Sequence, residues 1–282
     1  MRKISWQVWV IGVIIVLSSA VALARALPLF PAHHVTSADK AKLPPAAHAT
    51  VIIPPRQDLF SPFILPVKVN TAVTWKNDDT VLHNFATTPD QSAFLNPQPF
   101  AFTVAVGHNA TFLFTRPGVY HYYDTIKDGW NATFGRVEAY PGILHYPEAM
   151  EGVIWVQGSI KGLPSTVLAF VLQGHGMFSQ EFLAIAVDGA VTWQNLDANP
   201  HFVGLVPGWS APVNPADFGL YRLSGTDEVP GGQSVTVLFP KPGLYYYYSR
   251  NHDQVDPVSH RAVALTIASE YPLPMEGFVL VV

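Results

Sequence analysis

The chain contains no cysteine. That absence excludes disulfides, zinc–thiolate sites, iron–sulfur clusters and thiol nucleophiles. It also excludes a blue copper centre, which needs a thiolate ligand. Charge is scarce: Asp, Glu, Lys and Arg make up 13% of the 282 residues, about half the share of an ordinary soluble domain. The net charge of −4 offers no basic stripe, so no nucleic-acid partner is expected. Long amphipathic helices are missing after residue 25, and 25 prolines work against them.

Hydrophobic residues are plentiful, at 49%. Part of that share is one N-terminal run. After Arg2 and Lys3, the stretch Ile4 to Ala24 carries no charge, and about 20 apolar residues span a bilayer. The basic start predicts that this end stays in the cytoplasm. Two readings stand for residues 1–25. Ala22-Leu23-Ala24 fits a signal-peptide cleavage pattern. The length of the run favours an uncleaved transmembrane helix, with residues 4–24 in the membrane. Either way the remainder is expected outside the cytoplasm, on the periplasmic or cell-surface side. Residues 26–48 are rich in Pro, Ala and His without periodicity and read as a linker.

Beyond the linker the chain repeats itself. "AVTWKNDDTVLHNF" answers to "AVTWQNLDANPHFV", with Trp75 to Trp193 and His83 to His201 both 118 residues apart. "RPGVYHYYDTIK" answers to "KPGLYYYYSRNH", and "MEGVIWV" to "MEGFVLV", both at 125 residues. Three blocks in one order indicate a duplicated domain, with a seven-residue insertion within 202–238 of the second copy. The expected domains are 49–157 and 158–282. Segments such as "AVTW", "ATFLF", "SVTVLF" and "LYYYY" are β-branched and aromatic, bounded by Gly, Pro, Asn and Asp. They predict an all-β chain of two tandem Greek-key β-sandwiches. "PEAM" and "SADKAKL" read as short helical turns. The four tyrosines Tyr245 to Tyr248 alternate, one pair facing the core and the other the opposite face.

These blocks resemble the cupredoxin family. The shared pattern is V-T-W-x-N-x-D before a first His, then P-G-x-Y before a Cys-x-x-His, then M-x-G. Trp75, Asn77, Asp79, His83, Gly118, Tyr120, Met150 and Gly152 carry it in the first copy, and Trp193, Asn195, Asp197, His201, Gly243, Tyr245, Met275 and Gly277 in the second. Asn70 reads as replacing the glycine that the second copy keeps as Gly189. The resemblance implies copper held by the first His, the Cys, the second His and an axial Met. Those places hold His83, Asp124, Lys127 and Met150 in the first copy, and His201, Ser249, His252 and Met275 in the second.

The substitutions decide the expected chemistry. Serine neither supplies the thiolate charge nor its electron path, so electron transfer of the blue type is not expected. Nor is laccase or nitrite reductase activity, which needs the blue site; the paired H-x-H motifs of laccases are missing too. His201 and His252, with Met275, Ser249 or His260 completing the set, form a non-blue copper site on this reading, for copper handling or delivery. His83 and Asp124 are the weaker candidates, because Lys127 repels a cation and is expected to pair with Asp124. About 22 residues separate the second-His place from the Met in each copy, longer than the metal loop of small electron carriers. "GHG" at Gly174 to Gly176 forms no hydrolase constellation. A metal-free subunit of a membrane respiratory or oxidase complex is the alternative.

Overall fold

The computed structural model describes residues 46–142, 148–206, 228–265 and 273–282. The expected membrane segment, nearly all of the linker, and residues 207–227 of the insertion region lie outside them. No helix occurs among the described residues, and none there is long and apolar enough to cross a membrane. The expected helical turn at "SADKAKL" lies outside the described residues. That at "PEAM" is not formed over Glu148 to Met150; the Met150 N–H donates to the Asp128 carboxylate and its carbonyl accepts the Asp124 N–H.

The first half runs β1 (Ala47–Ile53), β2 (Ile64–Lys68), β3 (Thr71–Asn77), β4 (His83–Thr87), β5 (Ala101–Val104), β6 (Asn109–Phe114), β7 (Gly118–Asp124), β8 (Asp128–Asn131), β9 (Arg136–Ala139) and β10 (Glu151–Gln157). The second runs β11 (Thr166–Leu172), β12 (Met177–Phe178), β13 (Phe182–Ile185), β14 (Gly189–Asn195), β15 (His201–Phe202), β16 (Gly204–Leu205), β17 (Glu228–Val229), β18 (Ser234–Phe239), β19 (Gly243–Tyr248), β20 (Asp253–Val255), β21 (Ala262–Ala264) and β22 (Glu276–Val281). In the first sandwich the sheet β1-β3-β6 faces the sheet β2-β10-β7-β4-β5. In the second, β12-β11-β14-β18 faces β13-β22-β19-β16. The fold is all-β and cupredoxin-like in both halves.

Each sandwich has its own core. Trp75, Phe85, Phe114, Tyr120, Tyr122 and Met150 belong to the first; Trp193, Phe239, Tyr245, Tyr247 and Met275 belong to the second. A third apolar cluster joins the two halves through the other faces of β7, β10, β19 and β22. Strand alternation sorts the side chains. Tyr245 and Tyr247 enter the second core, while Leu244 and Tyr246 enter the joint. Ile154 and Val156 enter the first core, while Val153 and Trp155 enter the joint. Sheets covered on both faces explain why "VIWV" and "FVLV" are apolar without alternation.

Two repeated signals acquire a physical cause. Asn70 and Asp188 occupy the same turn and both hold left-handed backbone, φ 67° and 62°. This corrects the expected pairing of Asn70 with Gly189, which instead matches Thr71. Gly152 and Gly277 are required by close approach: a Cβ at either would sit 2.5 Å from the hydroxyl of Tyr122 or Tyr247.

Candidate metal centre

The same device builds the first-histidine loop in both sandwiches. Asn77 Nδ2 donates to the carbonyls of Val81 (2.8 Å) and Val104 (3.0 Å), and its Oδ1 accepts the N–H of Asp79. Asn195 does the same with Asn199 (2.7 Å), Val229 (2.8 Å) and the N–H of Asp197. The asparagine thereby fixes a carboxylate four residues before the histidine. His83 Nε2 is 3.3 Å from Asp79 Oδ2, and His201 Nε2 is 3.0 Å from Asp197 Oδ2. Burial alone would raise both carboxyls. Backbone N–H donors and the histidine outweigh it and hold both below the usual range. A carboxylate on Nε2 fixes that nitrogen as the donor and leaves Nδ1 to bind whatever stands opposite.

What stands opposite Nδ1 differs between the copies. In the first, Asp124 is fully buried; its Oδ1 accepts the N–H of Asn84 (3.2 Å) and its Oδ2 meets His83 Nδ1 at 2.5 Å. Both ring nitrogens of His83 thus face carboxylates. In the second, Ser249 Oγ accepts the equivalent N–H, from Phe202, at 3.3 Å. The serine side chain has one oxygen where aspartate has two. His201 Nδ1 is buried and has no hydrogen-bond partner among the described residues.

The second-ligand place differs as well. Lys127 pairs with Asp58, not with Asp124 as expected, because Asp124 is already taken by His83. Asp58 and Lys127 are both buried. In the second sandwich His252 stacks on His201, with ring centroids 4.7 Å apart and planes within 9°. Asn251 Nδ2 ties that loop to the Pro200 carbonyl at 2.8 Å. The structure therefore brings His201, Ser249 and His252 together. Met275 is buried in the adjoining core, and its carbonyl accepts the Ser249 N–H at 2.9 Å. His260 is exposed in the β20–β21 turn.

The residues fit a copper ion in the second sandwich and not in the first. An orphaned buried imidazole nitrogen beside a second imidazole is a donor set lacking its acceptor. In the first sandwich Asp124 and Asp58 leave neither His83 Nδ1 nor Lys127 for a cation.

The long segments before Met150 and Met275 are not metal loops. Each folds into a hairpin, β8–β9 or β20–β21, that sends an arginine across the joint. Arg136 donates to the carbonyls of Glu276 (3.1 Å) and Phe178 (3.2 Å). Arg261 donates to the Ala149 carbonyl (2.6 Å) and to the Glu151 carboxylate. The joint also contains His121, whose Nε2 is 2.7 Å from Glu151, with Glu181 4.0 Å from its Nδ1. The ligand atoms of His121, Glu151 and Glu181 lie within 4.8 Å of one another. They are balanced by guanidinium groups: Arg261 bonds Glu151, and Arg136 is 3.6 Å from Glu181. A cation entering there meets two fixed positive charges. Sequence reasoning missed this cluster. The repeat contained the signal, since Arg136 and Arg261 stand in matching positions.

No family model matches the chain, and no curated protein matches it. Solved structures do. A novel purple cupredoxin from Nitrosopumilus maritimus is 27% identical over 39% of this chain and 99% of its own, with a TM-score of 0.26. An oxidised mutant of amicyanin is 17% identical over 43% of this chain and 87% of its own, with a TM-score of 0.27. A reduced amicyanin mutant is 20% identical, covering 42% and 82%, with a TM-score of 0.24.

Proposed function

We propose that the second cupredoxin-like sandwich binds one copper ion through His201 Nδ1 and His252, beside Ser249 and Met275, and that the protein handles or delivers copper outside the cytoplasm, tethered by residues 4–24. The carrying observation is the buried, unpartnered Nδ1 of His201 under the stacked ring of His252. Copper held without a thiolate supplies a transferable ion rather than a rapid electron carrier. Asp197 fixes the tautomer of His201, and Asn251 holds the His252 loop down. The first sandwich, closed by His83–Asp124 and Lys127–Asp58, serves as a rigid partner and holds no metal.

Metal analysis and electron paramagnetic resonance of the purified protein after Cu(II) addition test this. One copper per chain is expected, lost in His201→Ala and in His252→Ala and kept in His83→Ala. Absence of binding at micromolar copper overturns the reading.

A second reading, a metal-free subunit of a membrane respiratory or oxidase complex, draws on one observation. Val81 and Leu82 just before His83, Ile126 just before Lys127, and Val106 just after β5 are each 42–49% exposed. An exposed apolar patch of this kind suits a protein partner. Under this reading the protein co-purifies with membrane partners, and His201→Ala leaves that unchanged.

A further inference from the structure

Asn-Ala-Thr occurs twice, at Asn109 to Thr111 and at Asn131 to Thr133. Asn-x-Ser/Thr is the acceptor pattern for N-linked sugars, but so short a pattern also recurs by chance. The surroundings of each asparagine decide whether it can carry a sugar.

Asn131 is built into the β8–β9 turn. Its Nδ2 donates to Glu138 Oε1 at 2.6 Å, and its Oδ1 accepts the N–H groups of Thr133 (2.9 Å) and Phe134 (3.3 Å). The residue is half-buried, and Phe134 packs 5.3 Å from the ring of His175. This amide is spent on holding the turn, and a sugar on Nδ2 crowds Glu138.

Asn109 has the opposite setting. It is the first residue of β6, directly after a turn in which the His108 N–H donates to the Ala105 carbonyl at 3.0 Å. Alternation puts Ala110, Phe112 and Phe114 against the first core and Asn109, Thr111 and Leu113 on the outer face, where all three are exposed. The Asn109 side chain makes no hydrogen bond among the described residues. The Thr111 hydroxyl lies 2.8 Å from that of Thr74 on the neighbouring strand, at the surface. Amide and hydroxyl thus stand on one open face.

β6 is also an edge of the sheet β1-β3-β6. An exposed edge is a template for pairing with another chain. Gln98 covers one end of it, donating to the Leu113 carbonyl at 3.3 Å and accepting the Thr115 N–H at 3.1 Å. At the Asn109 end no side chain does the same among the described residues. A bulky, hydrophilic sugar on Asn109 closes that end to strand pairing.

We propose that Asn109 is an N-glycosylation site and that its sugar shields the open end of the β6 edge. This rests on the location outside the cytoplasm proposed above, because N-linked sugars belong to exported chains. The donor is a lipid-phosphate-linked oligosaccharide of the host membrane. The Asn109 amide nitrogen attacks its anomeric carbon. A carbon–nitrogen bond forms, the carbon–oxygen bond to the lipid phosphate breaks, the amide proton passes to a base of the transferase, and the lipid phosphate leaves. The second sandwich has the same edge without the amide. Ser234 on β18 faces Gln194 as Asn109 faces Lys76, and the Thr236 hydroxyl lies 2.8 Å from that of Thr192.

The test uses the full chain isolated from the membranes of the organism that makes it, with peptide mass spectrometry at each asparagine. A sugar is expected on Asn109 and none on Asn131. It is expected to be lost in Asn109→Gln and in Thr111→Val, which removes the hydroxyl and keeps a β-branched side chain. Ser234→Asn completes the pattern on β18 and is expected to gain a second sugar. Bare Asn109, or a sugar on Asn131 in its place, overturns the proposal. Asn109→Gln is expected to self-associate at lower concentration than the glycosylated chain in light scattering; equal association overturns the shielding role. Protease digestion of whole cells reads the location separately. A chain cut only after lysis means that the location reading has failed and this proposal with it. A chain cut in intact cells with Asn109 bare overturns the glycan alone.

Discussion

Arg136 and Arg261 cross one interface in opposite directions. Arg136 Nη1 donates to the Glu276 carbonyl at 3.1 Å, and Arg261 Nη1 donates to the Ala149 carbonyl at 2.6 Å. The duplication therefore produced an internal pair that clasps itself much as two identical subunits do. Arg261 also bonds Glu151, lies 3.4 Å from Glu276 and stacks 4.5 Å from the ring centroid of Phe63.

Removing the Arg261 cation leaves the buried carboxylates of Glu151 and Glu276 without the guanidinium that balances their charge. Arg261→Met is expected to cost about 3–5 kcal/mol of folding stability, read from the urea midpoint. A loss below about 1 kcal/mol would show the clasp to be dispensable.

The joint also sets a pH dependence. Burial pushes Glu276 up to about 7 and Glu148, Asp128 and Asp253 up to about 8, although Arg261 or backbone N–H donors pull each the other way. In the unfolded chain these groups titrate near about 4. The folded state then binds more protons between those values, so stability is full below the unfolded pKa and is lost as pH rises through 7 to 8. Asp79 and Asp197, held low, act oppositely and lose stability in acid. The urea midpoint is expected to peak in mildly acidic buffer, to fall by up to about 1.4 kcal/mol per pH unit for each group, and to level off once pH passes about 8. Glu148→Gln is expected to flatten the fall; a flat wild-type profile refutes the account.

Gly277→Ala places a methyl group 2.5 Å from the Tyr247 hydroxyl. Overpacking of this kind costs about 1–3 kcal/mol. Thermal unfolding is the measurement, and Gly152→Ala against Tyr122 is expected to match it.

The first sandwich differs from the second at three places around its histidine. Asp58 corresponds to Gly176: each stands two residues before a core phenylalanine, Phe60 or Phe178, with left-handed backbone, φ 47° and 56°. Asp58→Gly, Asp124→Ser and Lys127→His together rebuild there the set found in the second sandwich. Copper stoichiometry is expected to rise from one to two per chain by metal analysis. A value that stays at one would mean that other features of the second sandwich hold the ion.

Ser249→Cys supplies the thiolate that the chain lacks. With His201 and His252 beside it, the copper-loaded variant is expected to show an intense visible charge-transfer band. A colourless copper complex would show that His201 and His252 do not share an ion with position 249.

Much of the fold was legible in the repeat. Trp75 with Trp193, His83 with His201, and the two P-G-x-Y blocks placed the sandwiches and their cores, because apolar alternation and turn residues are local properties. The contrast at position 249 was legible too, since serine and aspartate differ chemically wherever they stand. The partner of Lys127 was not. Asp58 is 69 residues away, and nothing in the local pattern of either residue names the other.

The amino-acid order alone determined a duplicated all-β chain without thiolate chemistry, with one copy keeping both imidazoles. Those conclusions need only residue identity and spacing. The tertiary structure decided three further things: that His83 is closed by Asp124 while His201 Nδ1 is left open, that Gly176 stands where Asp58 does, and that the long loops hold arginines across a buried joint. Each depends on which side chains meet across strands far apart in sequence, and that is fixed by packing, where the length of one side chain decides whether a contact forms.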